Sequence, residues 1–433
     1  MEFTELTSDG KPKKTILNFK SILAAYDISL QYNIVTRDIC YFIKESSIKV
    51  KLGTHEHFEE FVTYIEDLCA KEGFGTTRNK VYNWIYYIAN EEKFNYVKQC
   101  IVNSYEYWNK QGSEFDKLMN CIEFKSNDEF SRLLFKKALW QSVAMIHNEN
   151  GDYGADGALT LQGSQGIGKT SIIRKLCDCF KGKYFKESAD FDGAEMKDKI
   201  KQNTGVFICE LGEAAGSFKM VDWLKKFITN PVDEFRDPYA RVSRKYPRLT
   251  TFYITINDTA FLRDIENRRY WTIEIADINL NGINSISYEN LWGEVYSWYL
   301  DNPSGFRLTP SERFELNNIN QEFRKLSVEE NVLIDCLEWS QPESDWTERT
   351  ATAIATDILD KTGQRIQPQK VGCALRSMGY EKNAPVKRWR LLNGRTIYNT
   401  PRVHPVETYT APYPNKDGQK WNKREVTNIQ GYL

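Results

Sequence analysis

One stretch constrains this chain more than any other: "LQGSQGIGKTSIIRKL", Leu161 to Leu176. It contains Gly163-x-x-x-x-Gly168-Lys169-Thr170, the full pattern of a phosphate-binding loop. The chemistry requires these residue types. Gly166 and Gly168 let the backbone turn so that successive N–H groups face phosphate oxygens. A helix expected to start near Lys169 aims its positive end at the same anion. Lys169 can reach the β- and γ-phosphates, and Thr170 can ligate Mg²⁺. The expected nucleotide cradle is therefore Gly163, Ser164, Gln165, Gly166, Ile167, Gly168, Lys169, Thr170 and Ser171, with ATP and Mg²⁺ as cofactors. ATP is the default nucleotide; with no base-reading motif visible, another nucleotide stays open. A glycine-rich turn without a ligand is the plainer reading. The context argues against it: an apolar strand, residues 158–161, enters the loop, and "TSIIRKLCDCF" leaves it as a helix.

A phosphate-binding loop does not say what hydrolysis moves. Downstream, "VFICELGE" ends an apolar strand in Glu210, with Glu213 three residues on. A carboxylate at a strand tip can hold Mg²⁺, and a second one can orient the attacking water. Glu210 is assigned the metal, with Thr170, and Glu213 the water, with the reverse assignment left open. The strand "TTFYITIN" ends in Asn257, whose amide can sense the γ-phosphate. Arg268 and Arg269 follow; they are expected to reach a neighbouring subunit's nucleotide as a finger supplied in trans.

Between the acidic strand and Asn257 lies "DEFRDPYARVSRKYPRL". Asp237-Pro238 marks a turn between two extended pieces. Arg236, Arg241, Arg244, Lys245 and Arg248 alternate with Phe235, Tyr239 and Tyr246. Cations that neutralise phosphates and rings that stack on bases suit a nucleic-acid track. Arg236, Tyr239, Arg241, Arg244 and Lys245 are its candidate contacts; a solvated edge hairpin is the alternative.

Strands and helices alternate through the middle third, which implies a parallel sheet covered by helices. Residues 1–120 read as a mixed, largely helical module with one strand-like alternation in "DISLQYNIVTRDICYFI". Asn127 or Asp128 is the expected cap of a helix beginning "NDEFSRLLF". The net charge of −1 makes any nucleic-acid surface local. Nine scattered cysteines, no apolar leader and no long apolar run point to reduced thiols in a cytoplasmic protein without a membrane span. His55 and His57 lack the partner cluster of a zinc site.

This order of motifs resembles the superfamily 3 helicases of the AAA+ class, and more closely the virulence-associated protein E family of phages and pathogenicity islands. The matching segments are "GSQGIGKT", "ELGE", "LKKF", "RDPY", "YPR", "TIN", "LRD" and "NRRYW". Thr170 stands where the family has serine and keeps the hydroxyl. "TIN" replaces a T-T-N form, and "DIENRR" lacks a glycine common before N-R-R. The resemblance is strong over residues 125–275. It is weaker over 30–125, where "YNIVTR" and "FNYVKQCI" are similar to segments that precede the family's ATPase. It implies an AAA+ core at 121–327 and a DNA-stimulated ATPase that forms a ring, a hexamer, for replication of a mobile element. A primase or other replication proteins are further expected partners. Residues 1–120 carry no primase signature and are expected to serve as a collar or docking piece.

Residues 361–433 hold 14 Lys/Arg against 4 Asp/Glu, which points to a polyanion partner. Two helical stretches precede "KRWRLLNGRTIYNT", a hairpin turning at Asn393-Gly394. Helix, helix and hairpin resemble a winged helix, assigned to 328–433. Lys370 and Arg376 lie on its expected reading helix, and Lys387, Arg388, Arg390 and Arg395 are expected to meet phosphates. The whole is an α/β chain for which three functions compete: a replicative DNA helicase, a DNA-stimulated ATPase that loads or switches without unwinding, and a non-catalytic origin-binding assembly protein. The acidic pair and the Arg-Arg pair disfavour the last.

Overall fold

The computed structural model describes residues 3–46, 49–53, 58–108, 110, 112–180, 184–187, 200, 203–212, 226–235, 243–262 and 267–404. The chain divides into two compact units. The first comprises Met1–Thr259 and Asn267–Asn320, the second Ala260–Glu266 and Gln321–Leu433.

The first unit opens with α1 (Ile16–Ala25), β1 (Ile28–Asn33), β2 (Asp38–Ser46), β3 (Lys49–Gly53), α2 (Phe58–Lys71), α3 (Arg78–Glu91) and β4 (Lys93–Phe94). Thr15 caps α1 through its side chain. In α2, Phe58, Phe61, Val62, Ile65, Leu68 and Cys69 recur at helical spacing and are all buried, so one face packs inward. The Phe61 ring stacks on Tyr41 of β2 at 3.8 Å. The four strands form one sheet in the order β3-β2-β1-β4. The sheet is larger than the single alternation in the sequence suggests. The reason is that β3 and β4 are short and carry little period of their own.

Next come α4 (Tyr96–Tyr107), α5 (Glu114–Met119), β5 (Ile122–Phe124) and α6 (Asp128–His147). The expected cap of α6 does not form. Asn127 takes a left-handed conformation, φ +47°, and donates its side-chain amide to Glu315 instead. Asp128 is the first helical residue and pairs with Arg132.

The central sheet is built from β6 (Ala158–Gln162), β7 (Phe185–Lys186), β8 (Ile208–Leu211), β11 (Thr251–Ile256) and β12 (Tyr270–Ile278), with α7 (Lys169–Lys175) after β6. A separate antiparallel pair, β9 (Val232–Phe235) and β10 (Arg244–Pro247), lies between β8 and β11 in the chain. Strand order is β5-β12-β6-β11-β8-β7. All neighbours are parallel except β5 and β12. Every residue of β6, β8 and β11 is buried, as expected of parallel strands covered on both faces. α6 packs on β6, β11 and β12, and α7 on β8 and β11. Short α8 (Leu280–Ile283), then α9 (Tyr288–Asp301) and α10 (Pro310–Glu322), follow β12. Trp292 of α9 is fully buried and donates its indole N–H to the Leu176 carbonyl at 2.8 Å.

The second unit holds α11 (Val328–Cys336), β13 (Thr347–Thr350), α12 (Ala351–Thr362), α13 (Pro368–Ser377), β14 (Glu381–Lys382), β15 (Arg388–Leu392) and β16 (Arg395–Thr400). Ser327 and Glu330 close a capping box on α11. The sheet order is β13-β16-β15-β14. Val371, Leu375 and Met378 are buried along α13, which ends before Gly379 at φ +90°. Asn393 and Gly394 both take positive φ, the two-residue turn that their types favour. The polar tail after residue 404 lies outside the described residues, as do His55 and His57. Among the described residues no helix is long and apolar enough to cross a membrane, and the cysteines are free thiols.

Candidate functional site

Strand direction assembles the site. β6, β8 and β11 run parallel, so their C-terminal ends share one edge of the sheet, where α/β folds bind ligands. The glycine loop follows β6, Glu210 lies at the end of β8, and Asn257 follows β11. Gly166 and Gly168 take φ of +85° and +97°, a region costly for a residue with a Cβ. A Cβ on Gly166 would meet nothing within 4 Å, so the loop presents open space there, and Ser164, Gln165 and Gly166 are exposed. Ile167 packs against the core and anchors the loop.

Two hydrogen-bonded groups meet at this edge. Lys169, 6% exposed, donates its ammonium to the carbonyls of Gly163 at 2.8 Å and Ser164 at 2.7 Å, and to Asn257 Oδ1 at 2.9 Å. Glu210, 1% exposed, accepts on one oxygen, Oε1, from Thr170 Oγ1 and Thr255 Oγ1, each at 2.7 Å. The sequence reading named Lys169, Thr170, Glu210 and Asn257; it passed over Thr255 and Gln162. Glu210 sits opposite Tyr253 in the β8–β11 register, and strand alternation puts Thr255 on the same face. Gln162, buried opposite Ile256, donates to the Asn257 carbonyl at 3.3 Å and so steadies the residue that Lys169 contacts.

A carboxylate flanked by two hydroxyls is a hard oxygen donor set that suits Mg²⁺ bound together with substrate phosphates. Ser171 is half-buried on the first turn of α7. Glu213 lies outside the described residues.

Arg268 and Arg269 stand at the opposite edge. β12 begins at Tyr270, which pairs with Ala158 at the start of β6, and the Arg269 carbonyl accepts from Ala158 N–H at 2.8 Å. The length of β6 separates them from the loop, about 16 Å at the rise of a strand. Arg268 is exposed and Arg269 half-buried.

The hairpin keeps part of its expected character. Arg236, Tyr239 and Arg241 lie outside the described residues. Arg244 and Lys245 are exposed on β10, with the Arg244 guanidinium 5.5 Å from the Tyr86 ring centre. Arg248, the last cation of this segment, faces inward. It is 0% exposed, because its guanidinium is bonded to Asp233 and to the Phe227 carbonyl. Tyr246 stacks on Phe235 at 4.5 Å.

In the second unit the candidate cations reach the surface but hold partners. Lys370 lies 3.6 Å from Glu329, and Arg376 donates to the Tyr398 hydroxyl at 3.1 Å. Lys387 donates to the Met378 carbonyl at 3.3 Å. Arg390 and Arg388 share Glu348, at 2.5 and 3.5 Å, and the hydrogen bond from Arg390 holds that carboxyl below its ordinary pKa. Arg395 is exposed at the hairpin tip. Exposed pairs of this kind are screened by solvent and contribute little.

Among solved structures, the chain is similar to the C-terminal region of NrS-1 in its apo A form. Identity is 12%, coverage 89% of this chain and 99% of that one, and the TM-score 0.44. It is also similar to SCCmec type IV Cch, described as an active helicase, at 10% identity, with 86% and 93% coverage and a TM-score of 0.34. No curated protein matches it. The family description that matches is the virulence-associated protein E-like domain, over residues 102–325, more than half of the sequence. The chain belongs to the virulence-associated protein E-like family.

Proposed function

We propose that the chain is an ATP-dependent DNA helicase that serves replication of a phage, plasmid or pathogenicity island, acting as a ring, a hexamer. One observation carries this reading. Lys169 with Asn257, and Glu210 with Thr170 and Thr255, meet at the C-terminal edge of one parallel sheet, while Arg268 and Arg269 stand at the other edge. Groups at both edges serve one nucleotide only when it lies between two subunits.

Lys169 is positioned to balance charge on the γ-phosphoryl group as the bond to the leaving diphosphate breaks. Asn257 fixes where the Lys169 ammonium rests and reports the γ-phosphate to β11. Thr170 and Glu210 are the residues that would hold Mg²⁺, which when bound neutralises the β- and γ-oxygens. Glu213 orients water, and Arg268 or Arg269 completes a neighbour's site. Arg244 and Lys245 grip phosphate, together with Arg236, Tyr239 and Arg241. Residues 328–433 form a winged helix whose cations meet duplex DNA. Residues 1–120 dock, and 121–327 hydrolyse.

A forked-duplex unwinding assay with ATP and Mg²⁺ tests the proposal. Strand separation that Lys169→Ala abolishes supports it. DNA-stimulated hydrolysis without strand separation would leave a loader or switch.

A further inference from the structure

Among the described residues, the buried charges under hairpin β9–β10 do not balance. Asp233 of β9, its side chain 1% exposed, is the carboxylate contacted by two buried guanidiniums. Arg248 binds both of its oxygens and the Phe227 carbonyl. Arg37, whose side chain is 3% exposed, binds Asp233 Oδ2 at 3.1 Å and donates to Thr204 Oγ1 at 2.7 Å. One arginine neutralises one carboxylate, and Arg248 already does so with two hydrogen bonds to it. A second buried guanidinium adds desolvation cost to the site. What Arg37 adds is a connection.

It stands in the turn between β1 and β2, at φ +61°, so it belongs to the N-terminal sheet. Its guanidinium lies 4.9 Å from the Phe235 ring centre and 5.3 Å from that of Tyr246, one ring on each strand of the hairpin. Its other partner, Thr204, stands before β8, at the sheet edge opposite the glycine loop, and is tied there to the start of β11. The Thr204 carbonyl accepts from Thr250 Oγ1 at 2.8 Å, and Thr251 N–H donates to the Phe207 carbonyl at 2.9 Å. From there β11 runs through Thr255 to Asn257, and β8 carries Glu210. One side chain of the N-terminal sheet thus touches the base of the basic hairpin and, through Thr204, connects to the segments that enter β8 and β11.

We propose that Arg37 is a positioning residue through which the N-terminal sheet couples hairpin β9–β10 to the nucleotide site, so that DNA on the hairpin and hydrolysis at the sheet edge respond to one another. The DNA half of this statement rests on the function proposed above; the nucleotide half does not.

Two variants of the full chain test it. Arg37→Met keeps an unbranched stem against Phe235 and Tyr246 and leaves Asp233 and Arg248 as a one-to-one pair. Thr204 Oγ1 keeps its bond to the Ile200 carbonyl. Arg37→Lys keeps the charge and gives up the fork that spans Thr204 and Asp233. The first readout is the ratio of ATP turnover with forked DNA to turnover without it. The ratio is expected to fall at least fivefold in Arg37→Met and by less in Arg37→Lys, with basal kcat and KM within twofold of wild type. The second readout is hydrogen exchange of the wild-type protein with and without a non-hydrolysable ATP analogue. Amides of residues 33–38 are expected to change protection on nucleotide binding, and Arg37→Met is expected to remove that change.

An unaltered DNA response in both variants, with any effect confined to melting temperature, would make Arg37 a stability residue and overturn the proposal. So would a wild-type protein whose residues 33–38 do not sense the nucleotide, an outcome that stands even where a variant fails to fold. If wild type shows that exchange response but no DNA stimulation, the helicase reading and the DNA half of the proposal fail, and the link from Arg37 to the nucleotide site alone survives.

Discussion

Replacing Thr255 by valine isolates one hydrogen bond at the proposed Mg²⁺ site. Valine keeps the branched shape of threonine inside β11 and removes the hydroxyl that donates to Glu210 Oε1 at 2.7 Å. A hydrogen bond to a charged group contributes about 1.5–3 kcal/mol, and 1.4 kcal/mol is a factor of ten. Thr170 still donates to the same oxygen, so the carboxylate keeps that bond. The cost to folding should stay at the low end of that range, about 1.5 kcal/mol, or a few degrees in melting temperature. The cost to function should be the larger one, because Glu210 loses a tether at a position that must hold within about half an ångström. We expect kcat to fall, or the Mg²⁺ concentration for half-maximal rate to rise, by about ten- to a hundredfold. Steady-state ATP hydrolysis over a Mg²⁺ titration measures this, with Thr255→Ser as the variant that restores the donor. A valine variant with wild-type rate and wild-type Mg²⁺ dependence would refute the reasoning. So would a valine defect that serine fails to rescue.

Alanine at Arg268 or Arg269 should lose turnover while keeping ATP binding. Mixing that variant with Lys169→Ala protein should restore part of the rate, and no rescue in rings confirmed as mixed would count against supply in trans. Arg244→Ala with Lys245→Ala should weaken DNA binding alike for all sequences and flatten its salt dependence by up to about two in logarithmic slope, read by titration at several salt concentrations. In the second unit, burial pushes the Glu330 carboxyl up, but bonds from Ser377, Ser327 and Arg324 outweigh it and hold the pKa below its ordinary 4.5. A depressed carboxylate contributes stability above its ordinary pKa and loses it as pH falls through the lower folded-state value. Denaturant melts of wild type between about pH 6 and pH 3 should therefore lose stability at the acid end. Glu330→Gln should be flatter over that range and less stable at neutral pH by about 3 kcal/mol or more, since Arg324 is left buried without its partner.

The glycine loop and the ends of β8 and β11 were legible because each pairs a strand signal with a chemistry-bearing residue at its tip. Glu210 and Asn257 needed no tertiary information. Thr255 was hidden because one threonine among several in "LTTFYITIN" reads as β propensity; only the β8–β11 register shows which one faces Glu210. The inward role of Arg248 was hidden for a related cause. Arg244 and Lys245 of the preceding strand are exposed, and no local pattern distinguishes an arginine aimed at a buried aspartate fifteen positions earlier. Arg37 was read only as part of "YNIVTR", because its partners lie more than 160 residues away in the chain. The C-terminal elements were legible through local rules alone: a glycine stop after α13 and an Asn-Gly turn.

Strand direction also separates what one subunit can do from what needs two. A residue that follows a parallel strand lies at the ligand edge, and one that precedes such a strand lies at the other. Lys169, Glu210 and Asn257 follow or end β6, β8 and β11; Arg268 and Arg269 precede β12, which is parallel to β6. Turning β12 around would bring the arginines to the loop, but its register with β6 runs through five consecutive pairs, from Tyr270 with Ala158 to Glu274 with Gln162. A one-residue slip would send the buried Trp271 and Ile273 to the wrong face. The position of the arginine pair is therefore set by the same packing that forms the core. If the arginine pair serves hydrolysis as proposed, packing that holds it far from its own loop requires a neighbour's loop to be brought to it.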